Sequence, residues 1–217
     1  MNSNERISAA LAGKPVDRKP VIAWPGEDKG SDVHVLRVSV PRRETGGGGE
    51  STLMEVLNPF GLALSQGTNL LHVLRDNPAR GESLLADAVR SVRARIRTGI
   101  AEANGILYRL HGARSSLSTP MEYGGHFLEL DRDILSFAEG GIRMVFIVGG
   151  EDTYLDFVSD LPAEIFGWDV KGTGVSVSQM RSLRKGALAA ASKEADILLS
   201  FPTDVSVAIE SPLLTNA

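Results

Sequence analysis

Arg109, His111 and Arg114 place one imidazole between two guanidinium groups within six residues. Imidazole titrates nearest neutrality of the ordinary side chains, so it can donate a proton or hold an anion. A guanidinium presents a planar fork of donors that matches a carboxylate. The plain alternatives are a loop histidine bonded to backbone and two arginines solvated at the surface. Tyr123 and His126 lie in a glycine-rich stretch, residues 122–126, which suits either a rim over a site or a simple turn. Glu151 and Asp152 follow Gly149 and Gly150, where a carboxylate could serve as a base, although Asp152 is also explained as a helix N-cap. Trp168 and Asp169 set an aromatic face beside a carboxylate, and core packing accounts for the tryptophan equally well.

The four histidines, His34, His72, His111 and His126, show no metal-ligand spacing, so no metal and no cofactor are expected. Cysteine is absent, which removes disulfides, thiolate metal sites and thiol nucleophiles from consideration. The net charge of −4 supplies no basic field for nucleic acid. Arg90, Arg93, Arg95 and Arg97 cluster, but on the polar side of an expected helix. No apolar run reaches the length of a membrane span, and the first ten residues lack a signal-peptide core, so a cytoplasmic location is the default expectation.

With 217 residues, 42% of them hydrophobic, the chain can bury one sizeable core, and a single domain over 1–217 is expected. Residues 2–11 read as a helix capped by Asn2, with Glu5 completing a capping box, and Gly13 and Pro15 stop it. Residues 20–24 and 33–40 read as strands, and 41–50, with glycine at 46–49, as a connector. No Gly-Lys-Ser/Thr ending follows, so this is not a phosphate loop. A further core strand is expected at 60–65 and a helix at 68–75. The clearest helix covers 82–103, where Leu85, Val89, Val92, Ile96 and Ile100 recur at steps of three and four.

Beyond it strands and helices alternate. Strands are expected at 106–110, 143–148, 164–168 and 197–200. Helices are expected at 131–137, at 152–158 behind an Asp152 cap, and at 176–190 behind a Ser176/Gln179 capping box. This order implies right-handed crossovers and a parallel sheet. The closed form is a (β/α) barrel of TIM type, which ordinarily takes about 250 residues. Six or seven strand candidates in 217 residues therefore predict a truncated or incomplete barrel, or one completed by a second chain in a homodimer; an open doubly wound sheet is the alternative. Barrel sites form at the carboxyl ends of strands, which selects the positions after Trp24, Leu110, Val148 and Trp168.

The opening, Asn4-Glu5-Arg6-Ile7 through Leu11, Gly13, Pro15, Asp17-Arg18 and Pro20-Val21, resembles the start of uroporphyrinogen decarboxylase-like proteins. A second match runs through residues 143–150, Leu161-Pro162, Phe166-Gly167-Trp168-Asp169 and residues 176–183, which look like the late barrel strands of that superfamily. The resemblance implies a TIM-type barrel and a tetrapyrrole or similar polycarboxylate as the small-molecule partner, with no nucleic acid or membrane partner. In that setting His111, Asp169 and Tyr123 are the catalytic candidates, with Asp169 bonding pyrrole N–H groups. Arg37, Arg109, Arg114 and Trp168 are the substrate-binding candidates. Departures are equally visible. The arginine-rich segment that follows the first strand in decarboxylases reads Trp24-Pro25-Gly26-Glu27-Asp28-Lys29 here. Val148 stands where the cobalamin-dependent methyltransferase branch has a zinc-holding histidine, and the late cysteine of that branch is missing. The resemblance thus leaves open a decarboxylase, a non-catalytic binding relative and, third, a corrinoid-linked methyl transfer component.

Overall fold

The computed structural model describes residues 1–24, 30–36 and 51–200. Eight strands form one closed ring in chain order: β1 (Val21–Ala23), β2 (Val33–Leu36), β3 (Ser51–Leu57), β4 (Gly105–Leu110), β5 (Ile142–Ile147), β6 (Ile165–Trp168), β7 (Ala187–Ala190) and β8 (Ile197–Ser200). Every pairing is parallel, and β1 closes on β8 in the register Val21 to Leu198. The expected barrel is therefore present, and the expected incompleteness is corrected: one chain closes the ring unaided. The economy falls on the connections. β7 reaches β8 through six residues, 191–196, with no helix between them. Strands of four residues rise only about 13 Å, a distance that six extended residues can retrace.

Three other expectations need correction. Residues 60–65 are not a strand but lie in α2 (Pro59–Ser65), because the Asn58 side chain accepts from the Gly61 N–H and Pro59 opens the first turn. The strand of that region is β3, just before it. The helix expected over 176–190 is α9 in this order, Val177–Leu183, with its Ser176/Gln179 capping box in place; the chain then turns at Gly186, φ 102°, and 187–190 pair as β7. Asp152 is not a helix cap: the short helix there, α7 (Leu155–Val158), follows Tyr154, while Asp152 accepts from Ser116 and Arg114. The remaining helices are α1 (Ser3–Leu11), α3 (Leu70–Asp76), α4 (Pro78–Glu102), α5 (Pro120–Tyr123), α6 (Glu129–Phe137) and α8 (Val170–Thr173). A π-helical turn, Gly124–Leu128, joins α5 to α6. The glycine connector at 41–50 and the end of the strand expected at 33–40 lie outside the described residues.

Strand side chains alternate between two cores. Ile22, Val35, Leu107, Phe146, Ile165 and Ala189 belong to a cluster that fills the ring. Tyr108, Leu110, Val145, Phe166, Trp168 and Leu188 face the helices instead, packing with Phe60, Val92, Ile96 and Ile134. Ile7 of α1 joins the inner cluster together with Ala10, Leu11 and Ile142, so α1 lies across the amino end of the ring. Ions hold it there. Arg6 binds Asp17 at 2.7 Å and also pairs with the fully buried Asp32, which accepts from Arg18 at 2.7 Å and from the β1 amide of Val21 at 3.0 Å. The Asp17-Arg18 segment that carries the family resemblance is thus a fastening of the first strand.

Gly105 of β4 pairs with Ile142 of β5 with no room for a side chain: a Cβ there would sit 2.0 Å from the Ile142 carbonyl oxygen and 2.5 Å from its nitrogen. Backbone cannot yield as a side-chain tip can. Gly105→Ala is expected to cost at least about 3 kcal/mol, the upper range of overpacking. Urea denaturation checks this, and a loss below about 1 kcal/mol would show that the strand ends part freely.

Candidate active site at the carboxyl end of the barrel

The inward face of β3 carries Leu53 and then Glu55; that of β4 carries Leu107 and then Arg109. Glu55 and Arg109 meet inside the ring, Arg109 Nη1 to Glu55 Oε1 at 2.7 Å, with Arg109 3% and Glu55 7% exposed. The layers beneath them are apolar. Trp24, at the end of β1, sets its ring edge-on to Phe146, 5.4 Å between centroids. An ion pair in this setting is costly to desolvate and weak evidence of stabilisation. Its position at the carboxyl end, where barrel sites form, is a reason to look for chemistry there.

His111 follows β4 directly and is buried. Its peptide is gripped on both sides by one side chain: the Asn58 Oδ1 accepts from the His111 N–H at 3.1 Å, and the Asn58 amide donates to the His111 carbonyl at 3.0 Å. Its ring packs on Gly61, where a Cβ would lie 2.6 Å from Cδ2; α2 therefore needs a glycine at that point. His111 Nε2 is buried without a hydrogen-bond partner among the described residues. Burial, reinforced by the nearby charges of Arg109 and Arg114, pushes the His111 pKa down to about 3. The environment of the ring therefore favours the neutral imidazole.

Arg114 sits on the loop beyond β4, its Nε 3.1 Å from Asp152 Oδ1. Burial opposes ionisation of Asp152, but hydrogen bonds from Ser116 and the Arg114 charge outweigh it and hold its pKa below the usual carboxylate range. The loops after β4 and β5 are laced together at this point by Ser115 N–H to the Asp152 carbonyl at 3.0 Å and Tyr154 N–H to the Ala113 carbonyl at 2.9 Å.

Arg109, His111 and Arg114 follow one another along the end of β4 and the loop beyond it, and the charges of both arginines act on His111. The other candidates lie elsewhere. Asp169 ends β6 but turns onto α8 and caps it, accepting from Lys171 N–H at 3.0 Å. Trp168 is fully buried on the helix side of the sheet, its indole donating to the Val175 carbonyl at 2.9 Å, so it presents no face to the barrel mouth. Tyr123 is equally buried in that outer layer, its hydroxyl 2.5 Å from Asp131 Oδ2. His126 lies on the π-helical turn beside Phe127, 6.0 Å between centroids. Arg37 lies outside the described residues.

Glu55, Asn58 and Asp131 are the polar residues that local pattern did not single out. At the opposite, amino end of the barrel a cleft of about 500 Å³ is bordered by Asn4, Ser51, Asn104 and Glu164. These polar groups are engaged in structure: Asn104 accepts from the Thr52 amide at 2.9 Å, and Glu164 pairs with Arg143. Among the described residues no group of three His, Cys, Asp or Glu side chains is placed to hold a metal ion, and no helix is long and apolar enough to cross a membrane.

A methyltransferase from Methanosarcina mazei superposes on this chain with a TM-score of 0.74, at 12% sequence identity, over 98% of each chain. The fold is a TIM-type (β/α) barrel. At that identity the likeness establishes architecture alone. No family model matches the sequence, and no curated protein does.

Proposed function

We propose that this chain is a member of the uroporphyrinogen decarboxylase superfamily that binds a carboxylate-bearing small molecule, a tetrapyrrole or similar polycarboxylate, at the carboxyl mouth of its barrel. The observation that carries this reading is the Arg109–Glu55 pair inside the ring, with His111 and Arg114 beside it. Arg109 is paired with Glu55 and Arg114 with Asp152, so a ligand carboxylate would be taken up by sharing these guanidinium groups. The barrel itself and the Asp17-Arg18-x-Pro20 opening agree with membership.

Decarboxylation is the reaction we assign. Loss of carbon dioxide from a pyrrole acetate needs a transient proton on the ring and a clamp on the remaining carboxylates. Arg109 and Arg114 supply the clamp. Burial is the larger cause of the depressed His111 pKa; substrate carboxylates beside the arginines would offset the charge contribution and move it upward. Anaerobic incubation with uroporphyrinogen, with product carboxylates counted by chromatography, is expected to show their loss. Arg109→Met is expected to weaken binding at least about tenfold, the cost of losing one charge-assisted bond. No binding of uroporphyrinogen, coproporphyrinogen or a simple tricarboxylate by calorimetry would sink the reading.

The likeness to the Methanosarcina methyltransferase supports a second reading, methyl transfer, with a corrinoid donor implied by the superfamily resemblance. A zinc-thiolate centre does not fit the donor set, because the chain has no cysteine and the described residues offer no three-ligand group. Demethylation of methylcobalamin, followed by its absorbance with a thiol acceptor present, separates this reading from the first.

A further inference from the structure

Behind His111, on the helix side of β4, lies a buried carboxylate to which the proposed chemistry assigns no part. Asp131, in the first turn of α6, is 1% exposed. Its Oδ1 accepts from the Tyr108 hydroxyl at 2.6 Å and its Oδ2 from the Tyr123 hydroxyl at 2.5 Å. The third donor is the Asn58 amide, at 3.3 and 3.4 Å from the two oxygens. That same amide donates to the His111 carbonyl, and its oxygen accepts from His111 N–H and from Gly61 N–H. One asparagine therefore ties together the buried carboxylate, the start of α2 and the peptide of His111.

The π-helical turn builds this arrangement. Tyr123 and Asp131 are eight residues apart, which an α-helix rotates about 80° out of line at 100° per residue. One residue inserted without advance, as in a π turn, makes the pair equivalent to a spacing of seven, within about 20° of alignment. Gly124 and Gly125 occupy that turn, and Phe127 within it packs on Tyr123 and Phe60 at 5.9 and 5.2 Å. Frequent functional use of π turns makes the alignment worth interpreting.

We infer that Asp131 is a proton-binding positioning residue, which sets the placement of the His111 peptide and the amino end of α2 through the shared side chain of Asn58. The inference rests on the reading of His111 as part of the ligand site. Protonated Asp131 has a hydroxyl to donate and one acceptor fewer at full charge, so its three donors must redistribute; Asn58 is the member whose shift reaches His111. The titratable groups facing Asp131 are Tyr108 from β4 and Tyr123 from α5, both neutral, and no described cation acts on it. Its neighbour Arg132 turns to Asp160 and Glu129 instead. Burial pushes the Asp131 pKa up to about 6, with the two tyrosines and Asn58 pulling the other way, so the change falls where cellular pH varies.

The test uses the full chain with isotope-labelled histidine and no ligand. The His111 ring resonance, identified by its loss in His111→Gln, is followed by NMR from pH 4.5 to 8. It is expected to shift with a midpoint near 6 while its nitrogen frequencies stay those of neutral imidazole. Asp131→Asn is expected to abolish the midpoint and keep the resonance. Tyr123→Phe, which removes a bond favouring the carboxylate, is expected to move the midpoint upward by about half a unit or more. A flat trace in the native chain overturns the inference, as does a midpoint that survives Asp131→Asn. If Asp131→Asn does not fold, an unmoved midpoint in Tyr123→Phe overturns it equally. A chain that binds no carboxylate but shows the midpoint supports the coupling and counts against the ligand reading alone.

Discussion

Glu55→Ala is expected to destabilise the fold by about 3–5 kcal/mol, because it takes the Glu55 carboxylate from the buried Arg109 charge inside the ring. Glu55 and Arg109 are 2.7 Å apart and nearly inaccessible, on adjacent inward faces of β3 and β4. With so little of either group exposed, water compensates only in part for the lost carboxylate. Replacing both at once is a different experiment. Glu55→Leu with Arg109→Met exchanges the pair for apolar groups that match the cluster below, and the double variant is expected to recover most of the loss, since apolar replacements of a buried pair are often neutral or better. The same double variant is expected to lose the carboxylate ligand. Stability and binding would then move in opposite directions, the mark of a group kept for function. Equilibrium unfolding of the native chain, Glu55→Leu, Arg109→Met and the double variant completes the cycle. A double variant that loses as much as the two single losses added would show that the two side chains do not stabilise one another, and the functional argument from their pairing would fail.

Much of the barrel was legible because its signals are local. The Asn2/Glu5 and Ser176/Gln179 boxes both form, and of the helix read over 82–103 all but Ala103, its C-cap, lie in α4. What failed was decided by residues outside the run being read. The run at 60–65 is too short for periodicity to separate strand from helix, and the deciding residues, Asn58 and Pro59, lie just outside it. β3 escaped notice because Glu55 interrupts its apolar pattern, and that interruption is the inward ion pair itself. Ala187 to Ala190 have high helix propensity, yet pairing with both β6 and β8 makes them a strand. The site divided along the same line. Arg109, His111 and Arg114 share one strand end, so their proximity is written in the sequence. Tyr123 and Trp168 were named for their chemistry, but whether they face inward depends on the phase of the sheet and on a π turn. Asp131 looked like any acidic residue in a helix first turn; its partner Tyr108 is 23 positions away.

Stability should record the buried carboxylate even where no ligand is present. The folded-state pKa of Asp131 is raised from 3.8 to about 6 by burial, so the native chain holds this proton more tightly than the unfolded one. The sign follows directly: the contribution is fully present below about pH 4 and is lost as pH rises through about 6. Between pH 4.5 and 7.5 the loss integrates to about 2 kcal/mol. Glu122, Asp152 and Glu164 act in the opposite sense, since partners lower their pKa values and their stabilisation disappears as pH falls. The total profile therefore hides the Asp131 component, and the comparison to make is the native chain against Asp131→Asn at each pH. Asparagine keeps the shape and carries no charge. Its stability relative to the native chain is expected to improve by about 2 kcal/mol from pH 4.5 to 7.5, read from urea midpoints at constant slope. A difference that stays level across that interval would mean that the carboxylate is not titrating in the folded chain. Tyr108 and Tyr123 would then be solvating a permanent anion, and pH could not reach His111 through Asn58.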